Sequence, residues 1–278
     1  MIVNIVKKIF PTTIKRRLKT IKQRMDYQAL RPVNCNLHNL RILDNEEYKI
    51  IFNSGYIIKD WKIEEDRIES LELPDFTGGI NKGDQRAIYY LVKYLKPNSI
   101  LEIGTHIGCS TIHFALAMKD FGNLKKLVTV DIKDVNDNNE KPWNNFDSKF
   151  SPKQLIDKIN ADEYVSFHVE NSYNYLQNCN EKYDFIFLDG DHSVKTVYQE
   201  IPLALELLNP EGIILLHDYF PNNKPLWSNN IVIPGPYLAT QKLIEENPDL
   251  LILPIGILPW KTKFSSNITS LAMLTKRK

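Results

Sequence analysis

Two short stretches of this 278-residue chain gather carboxylates and imidazoles: FIFLDGDHS, with Asp189, Asp191 and His192, and EGIILLHDY, with His217 and Asp218. Each follows an apolar run of strand length, so the polar residues fall at strand ends. Carboxylates that converge in a cleft repel one another unless a cation or a ligand ammonium lies among them. Such a set with little histidine suits magnesium, calcium or manganese before zinc. An imidazole beside it can accept a proton near neutral pH. Taken singly, Asp189 and Asp218 could be helix caps and the histidines could be satisfied by backbone. The cluster as a whole points to chemistry.

A second constellation is NSILEIGTHIGCST, from Asn98 to Thr111. It reads as strand, glycine turn and helix start. Gly104 lets the chain turn off the strand end, and Gly108 is expected to let another molecule approach the main chain. The free N–H groups of the following helix would face that ligand. A dinucleotide fingerprint would read GxGxxG; here Glu102 lies on the strand and His106 takes the middle position, which favours a positively charged ligand over a pyrophosphate. Asp131, ending LVTVD, stands where an acid can accept from two ribose hydroxyls. Asn171 or Ser172, after VSFHV, can cap a helix and can also hydrogen-bond an adenine edge.

These residues require a scaffold that brings strand ends together. Short, continuously apolar strands are expected at Ile100–Ile103, Leu127–Asp131, Val165–Val169, Phe185–Asp189 and Ile213–His217, as in a parallel sheet covered on both faces. Helices are expected near Asp44–Ile51, Asp84–Leu95, Thr111–Phe121, Pro152–Asn160, Ser172–Gln177, Val194–Leu208 and Tyr237–Glu246. Leu250–Pro254 and Thr269–Leu274 would pair antiparallel at the sheet edge. The alternation implies an α/β, Rossmann-like doubly wound sheet with right-handed crossovers. Ligands of such sheets bind beyond the carboxyl ends of the strands.

The segment Tyr219–Thr240 is long for a strand-to-helix connection. With Tyr219, Phe220 and Trp227 it is expected to cover the pocket of the reacting partner. Leu71–Gly83 reads as loop.

Composition is that of a soluble globular protein, 43% hydrophobic and 25% charged, with a formal net charge of +1. Nothing in that balance argues for nucleic acid. Cys35, Cys109 and Cys179 are far apart and lack CxxC spacing, which fits reduced thiols in a cytoplasmic setting. No apolar run approaches membrane-spanning length. Residues 1–31 differ from the rest. An apolar cluster (Ile2, Val3, Ile5, Val6, Ile9, Phe10) precedes a basic stretch in which Asp26 is the only acid. This suits a basic amphipathic helix, packed on the domain or on a second subunit of a homo-oligomer, or lying peripherally on an anionic membrane surface. The expected division is an N-terminal helical extension over 1–83 and a catalytic domain over 84–278.

Together these motifs resemble those of the class I S-adenosylmethionine-dependent methyltransferases, by element order from about Asp84 to the C-terminus. LEIGTHIG resembles the first motif of that class, VTVDI the second, FIFLDGDHS the fourth and EGIILLHDY the fifth. EIGTHIGCST with LDGDHS and HDY is most similar to metal-dependent O-methyltransferases acting on small molecules, sugars and macrolides. The resemblance implies a sheet order of 3-2-1-4-5-7-6 with strand seven antiparallel. It implies S-adenosyl-L-methionine as cofactor: Glu102, Gly104, Thr105, Gly108 and Ser110 at the methionine part, Asp131 at the ribose, Ile132, Asn171 and Ser172 at the adenine, and Asp189 beside the cofactor. It also implies a divalent cation, magnesium first, on Asp189 and Asp218. An asparagine follows the second aspartate in catechol-type enzymes; here Tyr219 stands there, leaving His217 or Asp191 as third ligand. His192 matches the general base, with Asp191 its rival. The acceptor would be a small molecule or glycan hydroxyl. A non-catalytic S-adenosylmethionine-binding or scaffold protein and a nicotinamide oxidoreductase are the alternatives. Intact Asp189, His192 and Asp218 disfavour the first, and Glu102 with the absent GxGxxG disfavours the second.

Overall fold

The computed structural model describes residues 21–23, 25–74, 79–122 and 125–278. The expected contact of residues 1–31 with a membrane or a second subunit falls largely outside the described residues. Seven strands form one sheet, β1 (Ser99–Ile103), β2 (Lys126–Asp131), β3 (Val165–Val169), β4 (Tyr183–Leu188), β5 (Leu208–Leu216), β6 (Leu250–Pro254) and β7 (Ala272–Lys276). Their order is β3-β2-β1-β4-β5-β7-β6, as the resemblance implied. β1 to β5 are parallel, and β7 runs antiparallel to β5 and β6.

The period-two geometry of a strand sends alternate side chains to opposite faces. Ile100, Leu127, Phe185, Phe187, Ile213 and Leu215 go to one face and pack on α1 (Asn45–Phe52), α2 (Gly55–Ser70), α3 (Lys82–Leu95), α4 (Cys109–Met118) and α5 (Pro152–Lys158). Leu101, Ile103, Val128, Val130, Ile186, Ile214 and Leu216 go to the other, against α6 (Ser172–Asn178), α7 (Val194–Glu206) and α8 (Pro234–Glu246). Each fully buried side chain of this kind contributes about 1.5–3 kcal/mol. All ten residues of α4 are buried, as expected of a helix enclosed between a sheet and other helices.

α3 shows how local signals set an element. The Asn81 side chain accepts from the N–H groups of Gly83 and Asp84 at 3.0 and 3.1 Å, an N-cap that satisfies two orphan donors. Lys96, in the left-handed region, ends the helix immediately before Pro97. The segment ahead of α3 shares the core: Tyr48, Ile51, Phe52, Ile57 and Trp61 belong to the same cluster as Ala87 to Val92.

The sheet departs from expectation at its last strand, which begins at Ala272 rather than Thr269. The residues just before it pair elsewhere, the Leu271 carbonyl with Ile255 N–H and the Ser270 carbonyl with Tyr219 N–H. α2 lies in a region that sequence periodicity left undefined.

Candidate active site

The carboxyl ends of β1, β4 and β5 enclose a cavity of about 180 Å³. Gly104, Thr105, His106, Cys109 and Ser110 form one wall, and Asp189, Gly190, His192, His217 and Asp218 the other. Gly79 and Ile80, from the loop before α3, also line it.

The glycine turn has its shape because of its neighbours in the fold. Gly104 has φ +101°, and a Cβ there would meet the Asp189 carbonyl oxygen at 2.3 Å. The β1 turn thus lies directly against the β4 end, which brings the two motifs together. Gly108 has φ +80°, and its Cβ would meet Pro152 at 3.0 Å. On the side where a Cβ would stand, Gly108 therefore packs against the start of α5. His106 is held in the left-handed region at φ 51°, a conformation uncommon for a residue with a side chain, with its ring 4.3 Å from that of Phe146.

Glu102 lies one layer beneath the cavity and is 0% exposed. Its carboxylate accepts from the Ser110 and Thr111 hydroxyls, so it ties β1 to the first turn of α4. Burial pushes its pKa up to about 7, against hydrogen bonds from Ser110, Thr111 and Thr129 that lower it. The Thr105 and Thr129 hydroxyls are paired at 2.6 Å.

Asp131 Oδ2 accepts from His106 N–H at 2.9 Å and Oδ1 from Lys133 N–H at 3.0 Å. Each oxygen keeps further acceptor capacity. Ile132 and Val169 stand 67% and 58% exposed at the ends of β2 and β3, where Asp131 is in register with Val169. A carboxylate beside an exposed apolar shelf suits a nucleoside. Asn171 caps α6, accepting from Tyr173 N–H at 3.1 Å, and Ser172 is bonded to the buried Glu200. The expected cofactor residues thus divide. Gly104, Thr105 and Ser110 line the cavity with Asp189; Asp131, Ile132, Asn171 and Ser172 stand at the ends of β2 and β3.

The acidic cluster is organised by His217. Its Nδ1 is 2.7 Å from Asp189 Oδ1 and 3.8 Å from Asp218 Oδ1. Its Nε2 is 3.5 Å from Asp84 Oδ2, an ion-pair separation longer than a good hydrogen bond. Burial lowers the His217 pKa, but the charges of Asp189 and Asp218 with the contacts to Asp189 and Asp84 raise it well above the ordinary histidine value. The carboxylates around His217 thus favour its protonated form.

The expected metal set of Asp189, Asp218 and His217 is brought together, with His217 Nδ1 directed at the Asp189 carboxylate. The alternatives for a third ligand are engaged elsewhere: Asp191 accepts from Ser193 and Thr196 at the start of α7, and Tyr219 is buried, its ring 5.9 Å from that of Tyr237 on α8. Among the described residues, no group of three or more His, Cys, Asp or Glu side chains is arranged to hold a metal ion. Asp191 likewise does not line the cavity; its carboxylate is held by Ser193, the N-cap of α7, and by the Thr196 hydroxyl.

His192 does face the cavity. Its Nε2 is 3.3 Å from Asp218 Oδ2 and 3.7 Å from Asp189 Oδ1. Asp218 itself has φ 53°, strain of the sort that collects at functional sites. Asp84 is the participant that sequence reasoning missed. It stands in the first turn of α3, yet it is 0% exposed and has Oδ1 without a partner. The expected cover, Tyr219–Thr240, contributes no lining residue. Phe220 and Trp227 pack edge to face at 5.7 Å, and Trp227 Nε1 donates to the Ile268 carbonyl, so these aromatics are buried in the fold.

The sheet order, with its antiparallel last pair, is that of the Rossmann-like methyltransferase fold. Residues 101–219 match the family described as Methyltransferase domain. The chain is 26% identical over 159 residues to the rhamnosyl O-methyltransferase of Mycobacterium tuberculosis (strain ATCC 25618 / H37Rv), covering 57% of this chain and 60% of that one. It is 28% identical over 142 residues to the probable caffeoyl-CoA O-methyltransferase 3 of Dictyostelium discoideum, covering 49% of each. The chain thus spans about half to three-fifths of the length of these relatives. Among solved structures, the O-methyltransferase from Bacillus cereus in complex with SAH has a TM-score of 0.52 at 18% identity, covering 87% of this chain and 95% of that one. The O-methyltransferase TomG from Streptomyces achromogenes in complex with SAM has a TM-score of 0.52 at 14% identity, covering 85% and 100%. At these identities the structural likeness is one of fold. No helix among the described residues is long and apolar enough to cross a membrane.

Proposed function

We propose that this chain transfers a methyl group from S-adenosylmethionine to a hydroxyl of a glycan or small molecule, with His192 as general base. The observation that carries the reading is His192 Nε2 facing the cavity 3.3 Å from Asp218, opposite the glycine turn. Asp84, Asp189 and Asp218 around one imidazolium leave the cavity net negative, which favours a cationic ligand. The exposed Ile132 with Asp131 suits the adenosyl part. The relatives support a hydroxyl acceptor, since the mycobacterial protein is a rhamnosyl O-methyltransferase and the Dictyostelium protein a probable caffeoyl-CoA O-methyltransferase. A rhamnose hydroxyl is the acceptor the reading favours.

S-adenosylmethionine, when bound, supplies a methyl group already activated on a sulfonium. The residues here have the remaining work. The backbone turn at Gly104 to His106 and the N-terminus of α4 position the donor. His192 takes the acceptor proton at Nε2 as the oxygen–methyl bond forms and the methyl–sulfur bond breaks, leaving S-adenosylhomocysteine. Asp218 and Asp189 stabilise the imidazolium that results, and His217 holds Asp189 in place. Positioning and proton removal are what such a displacement requires. No step is assigned to a divalent ion, because among the described residues no group of three or more His, Cys, Asp or Glu side chains is arranged to hold one.

Calorimetry with S-adenosylhomocysteine, followed by methyl transfer to methyl α-L-rhamnopyranoside and to catechol, tests the proposal. Binding of S-adenosylhomocysteine with transfer to either hydroxyl is the expected result. Absence of binding overturns it; binding without transfer to any hydroxylated acceptor returns the chain to the scaffold reading.

A further inference from the structure

A larger cavity, of about 470 Å³, opens between α2, the start of α3 and the segment around Trp260. That volume lies in the usual range for ligand sites. It is separate from the active-site cavity but adjoins it. Cys109 and Ser110 line the active site, while His113, one helical turn further along α4, lines this cavity. Likewise Ile80 borders the first and Gly83 the second.

Its chemistry is mixed. Arg86 is held over aromatic faces, its guanidinium 4.3 Å from the ring centre of Trp260 and 5.3 Å from that of Trp61. Two buried donors of the wall, Trp61 Nε1 and Arg86 Nε, have no hydrogen-bond partner, although Trp61 is only 6% exposed. An orphaned buried donor is costly unless a ligand satisfies it. Glu65 and Glu69 line the same cavity with carboxylates that pair with no described residue, so acceptors stand open there beside the orphaned donors. His113 Nδ1 is 2.6 Å from the Cys109 carbonyl. A carbonyl can only accept, so Nδ1 carries the proton and Nε2 is left as an acceptor. Burial lowers the His113 pKa to about 4, which keeps the ring neutral.

Unpaired donors and unpaired acceptors in one aromatic-walled cavity call for groups that both donate and accept. Hydroxyls do so. Acidic Glu65, Glu69 and Glu72 are matched by basic Lys82, Arg86 and Lys261 along the lining, so a neutral ligand suits the cavity better than an anion or a cation. The apolar face of a sugar ring also packs on aromatic side chains. We propose that this cavity is a second saccharide subsite, which binds a neutral hydroxylated ring of the acceptor other than the one methylated. The proposal rests on the reading of the acceptor as a glycan.

The test is saturation-transfer NMR on the full chain with methyl α-L-rhamnopyranoside, run with and without S-adenosylhomocysteine. Wild type is compared with a Glu65→Ala/Glu69→Ala double variant, in which Glu65 is half-buried at the cavity wall and Glu69 is exposed. Loss of charged acceptors should weaken rhamnoside binding about tenfold or more, while calorimetric affinity for S-adenosylhomocysteine stays unchanged. Failure of the rhamnoside to bind wild type overturns the subsite, as does equal binding by wild type and variant. A chain that binds the rhamnoside in this cavity but never S-adenosylhomocysteine would keep the subsite and overturn the methyltransferase reading.

Discussion

His217 Nδ1 lies 2.7 Å from Asp189 Oδ1, and its Nε2 lies 3.5 Å from Asp84 Oδ2. One buried imidazolium therefore joins the end of β4 to the start of α3, across the mouth of the sheet. A group whose folded pKa is raised contributes stability fully below its unfolded pKa, and that contribution is lost as pH rises through the folded value. With the His217 pKa well above the ordinary value, this contribution should persist through neutral pH and fade on the alkaline side. Asp84→Asn removes one of its carboxylates. We expect the His217 titration, followed by NMR of the ring protons, to move to lower pH, and stability at neutral pH to fall by about 3 kcal/mol, as for a broken buried pair. An unmoved titration would show that Asp84 does not bear on His217.

General-base assistance contributes about 10²–10⁴-fold, so His192→Ala should lower turnover by about that factor. Affinity for S-adenosylhomocysteine, measured by calorimetry, should be nearly unchanged. The acidic limb of the pH–rate profile should disappear with the imidazole. Near-normal turnover in this variant would remove His192 from the mechanism.

Turnover should be the same in EDTA and in magnesium, because among the described residues no group of three or more His, Cys, Asp or Glu side chains is arranged to hold a metal ion. Loss of activity in chelator, with recovery on adding magnesium or manganese, would restore the metal-assisted mechanism that the sequence motifs implied.

Glu102, with its pKa near 7, should distinguish the charged cofactor from its neutral product. A cation above it favours the carboxylate, so below pH 7 binding must displace a proton. Affinity for S-adenosylmethionine should therefore rise as pH increases through 7, while affinity for S-adenosylhomocysteine stays flat. Glu102→Gln should flatten the first curve. Parallel curves for the two ligands in the wild-type chain would show that Glu102 does not sense the sulfonium.

Gly104→Ala would drive a Cβ into the Asp189 carbonyl, 2.3 Å away, from a backbone at φ +101°. The loss of stability should exceed about 1 kcal/mol, read as a fall in thermal midpoint. S-adenosylhomocysteine binding should weaken in the same variant, because the β1 turn and Asp189 would part.

Much of the fold could be read from one dimension. Continuous apolar runs at β1 to β5, the cap at Asn81 and the stop at Lys96-Pro97 are local signals, and covalent continuity then places Asp131, Asp189 and Asp218 at strand ends. α2 escaped because GYIIKDWKIEEDRIES mixes its few buried residues, Ile57, Trp61 and Glu64, with charge and opens on glycine. It is held as a helix partly by Trp61 packing on Tyr89 and Tyr90.

The directions of the side chains belonged to the tertiary structure alone. Asp191 and His192 are neighbours in sequence, yet one turns to the residues at the start of α7 and the other faces the cavity, because Ser193 and Thr196 offer Asp191 nearer donors. Phe220 and Trp227 looked like a cover in a polar loop, but burying their rings against the fold is favoured over leaving them in water. Sequence placed Asp189 and Asp218 at neighbouring strand ends. Only the packing of α3 on the sheet brought Asp84 within 3.5 Å of His217, which favours the protonated form of that ring. The charge state of a buried group depends on its neighbours in space, not on its neighbours in the chain.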